Sequence, residues 1–324
     1  MTKHDIILTD HISELKSHGM TDISVAVGIF DGVHAGHRLL LRNLTETAAA
    51  LHSEPVVLTF APHPKEVLSP GTAPRLLIPP EEKYRLLEDC GVRAAVVIHF
   101  TKELARMPAE EFLLNCMNAN GIHLCSMCVG TRFRCGAGGK GTTEVLERFA
   151  RQHGLHFRSV PELTLEGETV CSTAIRKAVA SGDLDKARCF TGRVPQLSGY
   201  VEHGNGIAGT ALRHPTANLH VEYGVLPPAG VYAGKAEADG KSFCAAVNVG
   251  YAPTFSSEMT DAPLRVEIHL LDYHGDLYDK KMTVKLYRRI RPERRFADAA
   301  ALQDQILRDV NEIRNFFKKE VSDV

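Results

Sequence analysis

The sequence has almost no surplus charge of either sign: 38 Lys and Arg stand against 39 Asp and Glu, a formal net charge of −1. No global basic field is present to draw in nucleic acid or an anionic membrane, so a phosphorylated ligand has to be met by local cations. Long apolar runs are missing as well. No stretch of eighteen apolar residues occurs, and no transmembrane helix is expected. The opening Met1-Thr2-Lys3-His4-Asp5 lacks the apolar core of a signal peptide, and a cytoplasmic protein is the expectation. Cysteine is sparse: eight are scattered over 324 residues, unlike the dense framework of a small secreted domain. The tightest grouping is His123, Cys125, Cys128 and Cys135. Zinc wants four convergent ligands, but residues 124–129 read as a buried strand in which positions three apart face opposite ways. Buried structural cysteines are expected there. Internal repeats and low-complexity segments are also lacking.

What is present belongs to a globular chain, 44% hydrophobic and 24% charged, and long enough for two cores. In the first half, β-rich apolar runs at 24–30, 55–60, 94–100, 125–130 and 156–160 alternate with helical patterns near 81–90, 108–120 and 143–153. Leu40, Leu44, Ala48 and Leu51 also recur at helical spacing. This alternation predicts an α/β fold, a doubly wound Rossmann-like parallel sheet covered on both faces. A helical pair over 173–180 and 183–190 leads into a Gly/Pro-punctuated stretch. Beyond it, strand-like segments at 200–203, 231–238, 243–249, 265–271 and 282–287 are separated by Gly, Pro and Asp turns, with helical period returning over 298–317. That pattern predicts an antiparallel β-barrel with a terminal helix. The expected domains are 1–190 and 191–324.

The most informative string is Gly28-Ile29-Phe30-Asp31-Gly32-Val33-His34-Ala35-Gly36-His37, where a strand hands over to a helix. Glycines there let the backbone approach phosphates, and the helix start offers unpaired N–H groups. Gly28, Phe30, Asp31, Gly32, His34, Gly36 and His37 are the expected nucleotide-binding residues. Two imidazoles at the mouth of the turn can donate hydrogen bonds to charge developing on an α-phosphate during in-line attack, with no covalent intermediate. His34 and His37 are thus the expected catalytic pair. A metal pair or incidental turn residues are the plainer readings.

The string resembles the signature of the bacterial bifunctional riboflavin kinase/FMN adenylyltransferase family. Thr59-Phe60-Ala61-Pro62-His63-Pro64 is similar to that family's Thr-Phe-x-Pro-His-Pro segment, and the resemblance implies that Phe60, Pro62, His63 and Pro64 shape the flavin side of the pocket. Ser172-Thr173-Ala174-Ile175-Arg176 resembles its Ser-Ser-Thr-x-Ile-Arg, with Cys171 in place of the first serine. Ser172 and Thr173 sit at a predicted helix start, and Arg176 is placed to neutralise phosphate oxygens. One segment departs. The family carries Gly-x-Asp-Phe-x-Phe-Gly where this chain reads Gly130-Thr131-Arg132-Phe133-Arg134-Cys135-Gly136. A cation replaces an acid and a thiol replaces an aromatic ring, so slower FAD formation is expected. The nearby Gly136-Ala137-Gly138-Gly139-Lys140-Gly141 matches Gly-x-Gly-x-x-Gly, but it lies late in the sheet, whereas the dinucleotide fingerprint belongs to the first strand–helix turn. Nor is it a P-loop, since Gly141 follows the lysine where Ser or Thr is needed.

In the second half, a glycine loop at Gly204, Gly206 and Gly209 precedes Pro215-Thr216-Ala217-Asn218. Phosphoryl transfer to an alcohol needs a phosphate cradle, a magnesium ligand and an acceptor for the hydroxyl proton. The glycines suit the first need, and Thr216 and Asn218 offer neutral oxygens suited to Mg2+. Pro-Thr-Ala-Asn is the hallmark of riboflavin kinases, and the segments 228–233, 248–255, 266–271 and 290–296 follow as in that family. The resemblance implies Glu267 as the general base on the ribityl hydroxyl, with Asn248 and Arg291 on the flavin. Glu267 alternates with Val266 and Ile268, which is expected to aim it into the barrel mouth. Thr210 and Arg213-His214 depart from the family's cation and Gly-Phe before the hallmark. The resemblance thus implies an ATP-dependent enzyme making FMN from riboflavin and FAD from FMN. Its partners are these small molecules, not nucleic acid or membrane, with the oligomeric state left open. A chain retaining only the kinase, or a flavin sensor without turnover, are the alternatives.

Overall fold

The computed structural model describes residues 6–117, 121–202, 217–251 and 264–322. Chain contacts divide it into two compact units, Met1–Pro74 with Pro80–Cys171, and Arg75–Pro79 with Ser172–Val324.

The first unit is built on a six-stranded parallel sheet of β1 (Ile7–Thr9), β2 (Asp22–Val27), β3 (Glu54–Ala61), β4 (Ala94–His99), β5 (His123–Gly130) and β6 (His156–Val160), in the order β1-β4-β3-β2-β5-β6. Around it lie α1 (Ala35–Ala50), α2 (Pro64–Leu68), α3 (Pro80–Asp89), α4 (Lys102–Arg106), α5 (Ala109–Met117) and α6 (Thr143–Gln152). Five consecutive residues of β2, Ile23 to Val27, are buried, as a strand covered on both faces requires. Leu40, Leu41, Leu44 and Ala48 form the stripe that α1 buries. This is the doubly wound arrangement that the strand–helix alternation predicts. The short edge strand β1 and the 3-10 helix Ile12–His18 carried no usable period, because three to seven residues are too few to show one. From β2 the chain steps outward through β3 and β4, then crosses to β5 on the other side of β2. Such a reversal leaves a crevice at the carboxyl ends of the strands, and residues 28–37 begin there.

The second unit opens with α7 (Ser172–Ser181) and α8 (Leu184–Thr191), which pack on each other. A closed antiparallel barrel follows, of β9 (Gln196–Glu202), β10 (Ala217–Tyr223), β11 (Gly230–Ala238), β12 (Lys241–Tyr251), β13 (Leu264–Leu270) and β14 (Lys281–Pro292), in the order β10-β13-β12-β11-β14-β9. Alternation sends Val247, Val249, Val266, Ile268 and Val284 into the lumen, all 2% exposed or less. The opposite face of the same strands meets α9 (Ala299–Ser322), whose Ile313 and Phe317 cluster with Ala233 and Leu271. Asp239 and Gly240, at φ 50° and 73°, close the β11–β12 hairpin as a two-residue Asp-Gly turn should. Strand β10 was not anticipated. Its Leu219, Val221 and Tyr223 alternate with Asn218, His220 and Glu222 as in a half-buried strand, and the ladders to β9 and β13 fix its register.

The β9–β10 ladder that closes the barrel depends on Gly199, where any Cβ would run into the carbonyl oxygen of His220. Overpacking against a backbone carbonyl leaves no flexible side chain to yield. Gly199→Ala is expected to destabilise the barrel by about 3 kcal/mol or more, measured by urea unfolding. A loss below about 1 kcal/mol would mean that the seam can spread.

Candidate active sites

In the first unit the turn after β2 is held tightly. Phe30, Gly32 and Val33 have φ of 55°, 80° and 35°, a conformation that costs energy for the two non-glycine residues. Phe30 is fully buried, and Asp31 and His34 are 4% and 5% exposed. The N–H of Gly28 donates to Leu58, and the hydroxyl of Thr59 donates to the carbonyl of Ile29 at 3.2 Å, so the turn is fastened to the end of β3. His34 is the N-cap of α1, its Nδ1 accepting from the N–H of His37 at 3.3 Å. An Nδ1 that accepts leaves the proton of a neutral imidazole on Nε2. The two rings stack, centroids 3.6 Å apart and planes 18° from parallel. Burial holds the imidazolium of His37 well below the usual histidine range, with His34, Arg38 and Lys83 pushing the same way. Its Nδ1 is buried with no hydrogen-bond partner among the described residues.

The Thr59–Pro64 segment leaves β3 beside this turn. Phe60 sets its ring edge-on to Phe100, 5.8 Å between centroids. His63 uses Nδ1 to accept from the N–H of Lys65 and forms a capping box with Glu66, so Pro62, His63 and Pro64 make the start of α2. Lys83, which no motif singled out, reaches from α3 to Thr59 Oγ1 at 3.5 Å. The available signal was its spacing, three and four residues ahead of the buried Leu86 and Leu87. Ser172 and Thr173 begin α7, and Arg176 on that helix donates from Nε to the carbonyl of Arg75 at 2.9 Å. By chain contacts these three residues belong to the second unit.

The divergent loop is an ordered, packed turn. Arg132 pairs with Glu162 at 2.7 Å, while Phe133 and Cys135 pack on the hydrophobic core. Cys135 and Gly141 exchange backbone hydrogen bonds of 3.1 and 2.9 Å, and burial pushes the Cys135 thiol up to about 11. Ala137 N–H donates to Met107, so the glycine-rich run is spent on packing against the chain before α5. Of the cysteine grouping, Cys125 Sγ lies 3.4 Å from His123 Nδ1, itself 3.1 Å from Asp22. Cys128 is buried farther along β5, and the β2–β5 ladder shifts register at Cys125, so simple alternation does not relate the faces of the two thiols.

In the second unit, ladder register gathers the expected kinase residues. Asn218 on β10 pairs directly with Glu267 on β13, which pairs with Asn248 on β12. The row continues through Val231 on β11 to Arg291 on β14. Directly opposed residues share a face. Because Val266 and Ile268 fill the lumen, that face is the outer one. Glu267 therefore looks away from the barrel interior, a correction to its expected place in the barrel mouth. It lines a cavity of about 270 Å³ with Asn248, Arg291, Glu293, Phe296 and Asp309. No cation pairs with Glu267 among the described residues. Arg291 is clamped: Nε and Nη2 each lie 2.9 Å from Asp309 Oδ2, with side chains 16% and 5% exposed. Gln305 donates to Asp309 Oδ1 at 2.7 Å and accepts from Arg294, and both guanidinium groups lie over the Phe296 ring. Asp309 was missed, though an acid within the apolar stripe of Ile306, Val310 and Ile313 was a readable sign. Gly204, Gly206, Gly209, Thr216, Thr210, Arg213 and His214 lie outside the described residues.

Comparison with known proteins follows the same division. The family model described as FAD synthetase matches residues 16–174, and that described as riboflavin kinase matches residues 191–317. A bifunctional riboflavin kinase/FMN adenylyltransferase from Pseudomonas fluorescens is 34% identical over 284 residues, 88% of this chain and 89% of the relative. Its namesake from Escherichia coli K12 is 34% identical over 90% of this chain and 92% of its own, and that from Bacillus subtilis 31% identical over 90% and 92%. A crystal structure described as a macrolide-efflux protein from Streptococcus pneumoniae is similar with a TM-score of 0.80 at 28% identity, covering 96% of this chain and 99% of that one. Among the described residues, no helix is long and apolar enough to cross a membrane.

Two outcomes follow from these geometries. Folded, His37 stays neutral below its ordinary value of 6.5, whereas the unfolded chain takes up a proton there. Below about pH 6.5 the unfolded state binds more protons, so stability falls with falling pH, by at most about 1.4 kcal/mol per pH unit. His37→Gln is expected to flatten this acid limb in denaturation curves of the first unit between pH 7 and 5, and an unchanged slope contradicts the buried neutral ring. In the second unit, Asp309→Ala strands a buried guanidinium and is expected to cost about 3–5 kcal/mol, whereas Arg291→Met with Asp309→Leu recovers most of it. Urea melts of both variants distinguish this from simple loss of packing.

Proposed function

We infer that this chain, which belongs to the bifunctional riboflavin kinase/FMN adenylyltransferase family, divides the family's two reactions between its two units. It converts riboflavin and ATP to FMN and ADP, and FMN and ATP to FAD and pyrophosphate. The observation that carries the assignment of residues is the single row Asn218–Glu267–Asn248, one end of it opening on the cavity beneath α9.

For the kinase, the isoalloxazine occupies that cavity, with the clamped Arg291 and Phe296 as wall and Asn248 as a polar contact. The ribityl hydroxyl then comes within reach of Glu267. The carboxylate accepts its proton as the oxygen attacks the γ-phosphorus in line, and ADP leaves. Asn218 offers a hard amide oxygen directly opposite Glu267, a donor set that fits Mg2+; Thr216 is the second ligand we assign. Magnesium, when bound with the nucleotide, neutralises phosphate charge. The loop at Gly204, Gly206 and Gly209 cradles the phosphates.

For adenylyl transfer, the FMN phosphate is already an anion and needs no base. Its oxygen bonds to the α-phosphorus, the bond to the bridging oxygen breaks, and pyrophosphate departs with the electron pair. His34, through Nε2–H, and His37 donate to oxygens on which charge develops. Gly28, Phe30, Asp31, Gly32 and Gly36 shape the turn around the nucleotide, and Phe60 with residues 62–64 bounds the flavin. The pairing of Arg132 with Glu162 supports reading the divergent loop as a tolerated scaffold rather than a phosphate trap. We place the protein in the cytoplasm, where ATP is available and thiols such as Cys128 stay reduced.

A crossed pair of variants tests the division. Glu267→Gln should abolish most FMN formation from riboflavin while leaving conversion of supplied FMN to FAD intact. His37→Ala should do the reverse, lowering FAD formation about a hundred- to thousandfold. Chromatographic separation of FMN and FAD reads both. Loss of both activities in either variant, or the opposite pairing, refutes the assignment.

A further inference from the structure

Adenylyl transfer brings an FMN phosphate against a triphosphate and expels pyrophosphate, so the site must offset several negative charges. The two imidazoles of the turn supply hydrogen-bond donors but little net charge: Nδ1 of His34 is spent on the backbone, and the ring of His37 stays neutral. Arg38 donates from Nη1 to the carbonyl of Val33 at 3.1 Å. The remaining cation at the turn is Lys83. It extends from the buried face of α3 to the carboxyl end of β3, its Nζ 3.5 Å from Thr59 Oγ1. That hydroxyl commits its own proton to Ile29, so it can only accept from the ammonium. The charged and titratable groups facing Lys83 are Tyr84, whose ring centroid lies 5.1 Å from Nζ, Asp31 from the turn and His37 from α1. A half-buried ammonium whose partners are one hydroxyl and the face of one aromatic ring keeps N–H donors for an anion.

We propose that Lys83 is a further catalytic residue of adenylyl transfer, its ammonium binding the phosphate oxygens of ATP and those of the departing pyrophosphate. The proposal rests on the reading of the first unit as the adenylyltransferase. Lys83 transfers no proton: the new bond forms from FMN oxygen to the α-phosphorus, and the electron pair of the broken bond leaves with pyrophosphate. Burial pushes the ammonium down to about 8, with Asp31 pulling it back up, so its charge is lost as pH rises through that value.

The test uses the full chain with Lys83→Met and Lys83→Arg. The Met variant is expected to lose about a hundredfold or more in FAD formation, to keep riboflavin phosphorylation unchanged, and to resist inhibition by inorganic pyrophosphate. In the wild type, kcat/KM for FAD formation should fall above about pH 8, whereas the Arg variant, always charged, should hold its lower rate to higher pH. The proposal is overturned if Lys83→Met makes FAD at the wild-type rate, if its pyrophosphate inhibition is unchanged, or if wild type and Lys83→Arg share one alkaline limb. Wild-type protein that forms FMN but no FAD would instead overturn the adenylyltransferase reading, before any variant is compared.

Discussion

Strand register decides which side chains share a face, and in this protein a slip of one residue in either sheet would dismantle a site. In the barrel, Asn218, Glu267 and Asn248 belong to segments separated by long stretches of chain, yet the β10–β13 and β13–β12 ladders set them side by side. The alternation that sends Val266 and Ile268 into the lumen necessarily turns Glu267 outward, under α9. In the parallel sheet, the β2–β3 ladder aligns the carboxyl ends of the two strands, so Thr59 can fasten Ile29. The turn over residues 28–37 is then anchored at its start by β2, along its length by β3, and at its end by the His34 cap. Closing the barrel through Gly199 and burying β2 on both faces serve the same end, a backbone that does not move when charge develops.

Against that rigid frame, the two units handle buried charge in opposite ways. In the second, Arg291 is neutralised within the chain by Asp309, and Gln305 and Phe296 complete its surroundings. A pair so satisfied fixes the angle of α9 on the barrel and shapes the cavity wall. Such a guanidinium is not free to grip a substrate by its bidentate edge, which is already occupied. In the first unit, Lys83 has a hydroxyl and the face of the Tyr84 ring for partners, and His37 is held neutral. One arrangement builds a wall and the other waits for an anion. The same reasoning explains why Arg132 matters less than its position suggests, because Glu162 already answers its charge on the surface.

Much of this was legible along the chain. Element type followed from hydrophobic period, because burial on both faces of a parallel sheet, or on one face of a barrel strand, imposes a pattern that composition cannot hide. The nucleotide turn and Asn218 were visible because their chemistry is local: adjacent residues form a helix start, a cap or a tight turn whatever surrounds them. For that reason His34, His37, Gly32 and Gly36 needed no fold to be noticed. Strand β10 was passed over although Leu219, Val221 and Tyr223 alternate with Asn218, His220 and Glu222; what the chain alone did not give was its register against β9 and β13. Lys83 and Asp309 were marked in the sequence only by their places beside buried helical stripes; their partners, and the outward direction of Glu267, were decided by tertiary structure. A lysine in a helix and an acid in a helical stripe have no fixed partners until another element packs against them. Desolvation and hydrogen bonding, which set their charge and direction, come into being only with that packing.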